Sequence, residues 1–323
     1  MRTKKHFDAK VSVIIPTYNA GPGFGDLLDR LWSQSNRPHE IIVIDSSSED
    51  GTPDVAVRNG AMLLTIAREE FDHGGARNKA AAAATGDVLL FMTQDALPVD
   101  SFVIEYLVQA LQDGKVACAY ARQIPKDDAN ILEKLSRTFN YPEESALKSR
   151  ADLPRHGIKT FFCSNVCAAY RRDVFEAMGR FDEPVYFNED LLMAAKCVLA
   201  GYFVAYAAEA KVYHSHHYRI GQLFRRYFDN GASLRDHSWI LQHAAVRQEG
   251  ARLVLVQLKE LCRGGHWGWI PRLFAESVAK FAGYQLGMRY DRLPRALVAR
   301  WSMYGRASVV RSLESAAAKN LKL

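Results

Sequence analysis

Residues able to do chemistry recur at the ends of apolar runs in this chain. Thr17-Tyr18-Asn19 follows the run over residues 11–15. Asp45, with Ser46-Ser47-Ser48 behind it, closes Ile41-Ile42-Val43-Ile44. Thr93-Gln94-Asp95-Ala96 follows Phe91-Met92, and the acidic pair Glu189-Asp190 follows Asn188. Polar tips on β-rich runs line up along the carboxyl edge of a parallel sheet, where open α/β sheets bind ligands. Hydroxyls, an amide and carboxylates together suit a nucleotide, a diphosphate and a divalent metal. Asp45 can accept from a base imide N–H or a ribose hydroxyl, or it can start an Asx-turn. Asp95 can ligate Mg²⁺ or Mn²⁺ beside phosphate oxygens, or it can cap a helix. An acidic pair at a helix start fits the helix dipole on its own, and it also offers a carboxylate for proton transfer.

The elements that must position these groups can be read from spacing. Residues 11–15, 40–45, 62–66 and 88–92 read as buried strands. Between them, residues 26–35, 75–84 and 102–111 have helical character, and Thr52-Pro53 opens a further helix with a hydroxyl cap and proline at its first position. This alternation predicts βαβ units and a mainly parallel sheet. Residues 125–160 carry prolines and charges with little periodicity and read as an acceptor-side loop region. A helix over 189–200 and a short strand over 211–213 come next. From 221 the chain reads as helix, with Arg225, Arg226, Arg235, Arg247, Arg252, Lys259 and Arg263 scattered through it. Trp267, Trp269, Phe274, Phe281, Tyr284 and Tyr290 are interleaved there, as core residues or as a face for an anionic membrane. Gly21-Pro22-Gly23-Phe24-Gly25 is no dinucleotide fingerprint, because Asp26 stands where a third glycine is required.

Composition narrows the class. A chain of 323 residues with 48% hydrophobic and 24% charged residues is an ordinary globular protein. Its net charge of +6 fits an anionic partner, but no RNA- or DNA-binding signature accompanies the charge, so nucleic acid is not expected. The five cysteines are odd in number and form no CxxC pair, so they read as buried thiols in a reducing compartment. The start, Met1-Arg2-Thr3-Lys4-Lys5-His6, lacks the apolar run of a signal peptide. The expected location is cytoplasmic, with peripheral contact at the inner face of the membrane.

Phe71-Asp72-His73-Gly74-Gly75-Ala76-Arg77-Asn78 closely resembles the F-x-H-G-x-x-R-N segment of bacterial rhamnosyltransferases. Thr93-Gln94-Asp95-Ala96 and His214-Ser215-His216-His217-Tyr218 resemble the same subgroup. Over residues 11–235 the chain thus resembles an inverting, family 2 glycosyltransferase. That resemblance implies a GT-A fold: a mixed, mostly parallel α/β sheet between helices, here with a C-terminal helical appendage. It implies a GT-A domain over 1–220, with a nucleotide-binding half over about 1–124 and an acceptor half over about 125–220. The helical region then covers 221–323.

The resemblance also implies roles. Asp190 is the base that deprotonates the acceptor hydroxyl, and Glu189 is its acidic neighbour. Asp95 is a ligand for Mg²⁺ or Mn²⁺, although Thr93 replaces the first aspartate of the usual Asp-X-Asp. His214 or His216 is a further ligand; the two share one side of an extended segment. Candidate substrate-binding residues are Thr17, Tyr18, Asn19, Asp45, Arg68, His73, Gly74, Arg77, Asn78 and Gln94. Arg77 can reach a diphosphate or anchor a nearby carboxylate, and Arg68 can meet phosphate or base. The implied reaction transfers L-rhamnose from dTDP-L-rhamnose to a polysaccharide or lipid-linked oligosaccharide. Alternatives are a UDP-sugar donor, or a non-catalytic nucleotide-sugar-binding scaffold.

Overall fold

Short β-branched runs separated by amphipathic helices build the first half of the sheet. The computed structural model describes residues 9–245 and 249–304. The chain start, Arg247 and the end of the helical region therefore lie outside the described residues. The strands are β1 (Val11–Thr17), β2 (Glu40–Asp45), β3 (Met62–Thr65), β4 (Val88–Met92), β5 (Leu97–Pro98), β6 (Val116–Ile124), β7 (Ala146–Lys148), β8 (Cys167–Arg171) and β9 (Phe203–Tyr213). They form one sheet in the order β3-β2-β1-β4-β8-β6-β9-β5, with β7 paired to β9. Strands β1, β2, β3, β4, β6 and β9 run one way, and β5, β7 and β8 run the other. The expected mixed, mostly parallel sheet is present.

Helices cover both faces. They are α1 (Phe24–Trp32), α2 (Thr52–Arg58), α3 (His73–Ala83), α4 (Val103–Ala110), α5 (Ile131–Asn140), α6 (Leu153–His156), α7 (Arg172–Ala177), α8 (Glu189–Leu199), α9 (Ile220–Asp236), α10 (Trp239–His243), α11 (Glu249–Arg263), α12 (Ile270–Gly287) and α13 (Arg295–Trp301). Alternation along each strand divides the core. Val13, Ile15, Ile41 and Val43 pack with α1 and α4, while Ile14, Ile42, Ile44 and Phe91 pack with α3 and α8. Strands buried on both faces explain why the sequence shows continuous apolar runs there. Cys118, Cys163, Cys167 and Cys197 are buried thiols, and Cys262 is half-buried.

Three local expectations are corrected. Thr52 does not cap α2: Gly51 does, at φ 80°, and the Thr52 hydroxyl donates to Asp50 at 2.6 Å. Helix α3 starts at His73, two residues early, because the Asp72 carboxylate accepts from the Gly75 N–H at 2.8 Å. Residues 125–160 are not a loop, since they hold α5, β7 and α6. Helix α5 carries Ile131, Leu132 and Leu135 on one face, and its packing partners are distant in sequence: Leu132 packs against Leu261 and Leu273.

The C-terminal helices join one another and the sheet layer at close range. A Cβ on Gly287 would lie 2.1 Å from the Phe228 carbonyl oxygen, and one on Gly283 would lie 2.3 Å from that of Phe224. These contacts are backbone on backbone, so no side chain can move aside. Ser233 in α9 then donates to the Phe187 carbonyl at 2.6 Å, just before α8. Gly287→Val should separate α9 from α12 and cost about 1–3 kcal/mol in urea denaturation. Gly250→Ala, at a site with open space around it, should cost nothing. Equal stability of the two variants would refute this packing argument.

Candidate active site

Three strand ends meet at the carboxyl edge of the sheet. Gln94 clips β4 to β1: its Oε1 accepts the Tyr18 N–H at 2.8 Å and its Nε2 donates to the Tyr18 carbonyl at 3.1 Å. Asp45 is fully buried and braces the neighbouring loops. It accepts from the Thr17 hydroxyl at 2.7 Å, the Ser48 hydroxyl at 2.6 Å and the Ser48 N–H at 2.8 Å. A carboxylate has about four acceptor sites, so one remains open. Asn19 joins the same loops: its side-chain oxygen accepts from the Glu49 N–H, and its own N–H donates to the Ser48 hydroxyl. Arg68 stacks on the half-exposed Tyr18 ring, 3.2 Å from its centroid. The Ser46 hydroxyl is buried here without a partner among the described residues.

The glycine-rich segment is built differently from its sequence expectation. A Cβ on Gly74 would sit 2.1 Å from the Asp182 carbonyl oxygen. Gly74 therefore lets α3 dock on the chain preceding α8, and it presents no surface to the cleft. Asn78 gives both ends of its amide to the backbone of Phe181, at 2.9 and 3.1 Å. It too is a brace. Arg77 is buried and pairs with Glu189 at 3.3 Å; of the two expected roles, anchoring a carboxylate is the one seen. His73 lies 3.1 Å from Arg77 Nη1 through Nδ1 and 2.6 Å from the Tyr304 hydroxyl through Nε2. Burial, with the charges of Arg77 and Arg226, lowers the His73 pKa to about 4, against an opposing pull from Glu189.

The acidic pair divides into two environments at the start of α8. Burial disfavours charge on Glu189, but the Arg77 charge and the Asn165 amide overcome it and lower its pKa. Asp190 goes the other way. Burial and the adjacent Glu189 charge push it up to about 7, although the Asn165 and Leu191 N–H groups oppose the shift. Two neighbouring carboxyls with pKa values driven apart are the signature of an assigned acid or base.

Asp95, His214 and His216 converge, with ligand atoms all within 4.8 Å of one another. Asp95 Oδ2 is 3.4 Å from His214 Nε2 and 3.8 Å from His216 Nδ1. Both expected histidines thus reach the same carboxylate. Burial works against charge on Asp95, yet the neighbouring His214 and His216 rings hold it well below the usual carboxylate range. Burial pushes both rings toward the neutral form, with His216 lowered to about 3. One carboxylate and two neutral imidazoles form a donor set that fits a divalent cation. Consecutive residues tie this cluster to Asp190. Ser164 receives Gln123 Nε2, whose Oε1 meets His214, and Asn165 N–H donates to Asp190.

Residues 12–179 match the family model for glycosyl transferase family 2. The chain belongs to that family. This glycosyltransferase is 42% identical to O-antigen chain rhamnosyltransferase WbaN of Salmonella anatum, over 91% of its own length and 94% of that protein. It is 43% identical to O-antigen chain rhamnosyltransferase RfbN of Salmonella typhimurium, over 91% and 95% of the two chains. Among solved structures it is similar to mannosyltransferase PcManGT of Pyrobaculum calidifontis in complex with GDP-Man and Mn²⁺. There the TM-score is 0.56 at 20% identity, covering 97% of this chain and 81% of the other. Residues 1–349 of S. aureus TarS match with a TM-score of 0.54 at 16% identity, covering 88% and 91%. The fold is GT-A.

Several residues in the cleft had no signal in the sequence reading. Arg226 of α9 lies over the rings of Phe187 and Tyr218, at 4.8 and 5.5 Å. No carboxylate lies within ion-pair distance of it among the described residues, although its charge acts on His73, His214 and His216. In the sequence it stands among scattered arginines and in Arg225-Arg226-Tyr227-Phe228, the helix that follows the histidine segment. Gln123, Asn165 and Tyr304 were missed because each acts through a contact distant in sequence.

Proposed function

We propose that this family 2 glycosyltransferase moves L-rhamnose from dTDP-L-rhamnose to a hydroxyl of an O-antigen-type saccharide on a lipid carrier, with inversion. The Asp190 carboxyl carries the proposal. It titrates near neutrality beside a cation site and opens α8. At neutral pH and above it accepts the proton of the acceptor hydroxyl. The acceptor oxygen then bonds to the anomeric carbon as the bond to the phosphate oxygen breaks, and the nucleoside diphosphate leaves. Arg77 and Glu189 hold the start of α8 in place behind Asp190. Arg226, stacked and without a carboxylate, faces the diphosphate. Thr17, Tyr18, Asn19, Asp45, Arg68 and Gln94 form the nucleotide pocket, with Arg68 and Tyr18 as its aromatic and cationic wall.

Asp95, His214 and His216 would hold the divalent cation, and their imidazole nitrogens favour Mn²⁺ over the harder Mg²⁺. A cation there supplies Lewis-acid neutralisation of the leaving diphosphate. The sugar and O-antigen assignment is supported by the 42–43% identity to the two Salmonella rhamnosyltransferases.

A lipid-borne acceptor calls for a membrane-facing surface. Phe274, Val278 and Phe281 are exposed on α12, with Trp267 before it and Leu255 on α11. Exposed Arg252, Lys259, Arg263 and Arg272 lie on the same two helices, which suits an anionic lipid surface. No helix among the described residues is long and apolar enough to cross a membrane.

Asp190→Asn should leave donor-induced thermal shifts intact and reduce transfer by about 10²–10⁴-fold. In the parent enzyme kcat/KM should rise with pH through about 7 and then level, since the base must be ionised. A rate independent of pH from 5 to 9, or unchanged transfer by the variant, removes Asp190 from this role. Nucleoside-diphosphate release should occur with dTDP-rhamnose and Mn²⁺, and EDTA should abolish it; release from a UDP-sugar alone would overturn the donor assignment. Phe274→Glu with Phe281→Glu should abolish sedimentation with phosphatidylglycerol vesicles; retained binding would reject this face.

A further inference from the structure

We infer that Gln123 is a positioning residue that decides which ring nitrogen of His214 faces Asp95, and that Arg137 in turn orients Gln123. The inference rests on the reading of Asp95, His214 and His216 as a cation site. Gln123 lies in β6 and is buried. One end of its amide meets the Tyr141 hydroxyl at 2.6 Å and the Ser164 hydroxyl at 2.9 Å. The other end meets Arg137 Nη1 and, at 2.9 Å, His214 Nδ1.

The two ends of an amide have nearly the same shape, so its neighbours determine its orientation. A guanidinium can only donate, so the end facing Arg137 is the oxygen. Hydroxyls donate or accept, and they tolerate the NH₂ end. His214 Nδ1 shares the oxygen with Arg137 and must therefore carry its ring's proton. A neutral imidazole has one N–H, so Nε2 carries the lone pair. That is the atom 3.4 Å from Asp95 Oδ2. Two lone-pair atoms then face one another, an arrangement that a cation between them stabilises.

The orientation is anchored well away from the cleft. Glu133 holds Arg137 at 2.8 Å, one turn earlier on α5. Helix α5 is backed by Gln257 of α11, whose amide donates to the Leu132 carbonyl and the Ser136 hydroxyl at 3.0 Å each. The C-terminal helices therefore support the tautomer of a ligand on the opposite side of α5. A partner on the second nitrogen of a ligating histidine fixes its ring and raises its basicity.

The test is Mn²⁺ affinity of the full chain, by titration calorimetry, for Gln123→Met and Gln123→Glu. Glutamate keeps an acceptor for both Arg137 and His214, and should bind Mn²⁺ as tightly as the parent or more so. Methionine removes the acceptor and should weaken binding roughly 10–100-fold, with circular dichroism and melting reporting that it is folded. Parent-like affinity for Gln123→Met, or equal losses in both variants, would overturn the inference. The tautomer is read separately from the ¹⁵N shifts of His214 in metal-free protein: a proton on Nδ1 is expected, and one on Nε2 overturns it. A parent protein that binds no Mn²⁺ would instead overturn the cation site beneath it.

Discussion

The Arg77–Glu189 ion pair is the constraint on which the cleft depends. Both side chains are almost fully enclosed, at 3% and 8% exposure. Burying two charges is costly unless they meet, and removing either partner leaves the other charge stranded, a loss of about 3–5 kcal/mol. The pair joins the second turn of α3 to the first residue of α8, two elements far apart in sequence. Because Arg77 pairs with Glu189 and acts on Asp190 only as a minor opposing charge, the two adjacent carboxyls diverge: Glu189 is lowered, and Asp190 titrates near neutrality. One buried guanidinium thus assigns the roles of two neighbouring acids.

Much of the first half of the fold was legible because its signals are local. Strands β2 and β4 lie where their unbroken apolar runs put them, and buried strands leave little room for other readings. The polar tips Thr17, Asp45 and Asp95 fall on one sheet edge because strands of common direction must end there. The pairing of His214 with His216 followed from simple alternation, which in an extended segment carries i and i+2 to one side. Asp95 kept its place although its usual acidic partner is Thr93, since position at the end of β4 decides what the side chain can reach.

What stayed hidden lies in contacts between remote segments. Helix α5 is amphipathic, but the partners of Leu132 lie in α11 and α12, far along the chain. Gly74 and Asn78 stand in the glycine-rich segment as candidate contacts, with a brace as the other reading of Asn78. Their actual partners, the backbones of Asp182 and Phe181, lie more than a hundred residues downstream. Arg226 is indistinguishable in sequence from its exposed neighbour Arg225; only the helix rotation that turns it over Phe187 and Tyr218 marks it out.

The contact between Tyr304 and His73 spans 231 residues. It gives the protein an order of assembly. Strands β1 to β4 pair with one another within the first hundred residues. The wall beside His73 cannot exist until the chain has been synthesised through Tyr304. A chain that stops short of Tyr304 can hold these strands but lacks that part of the wall beside His73.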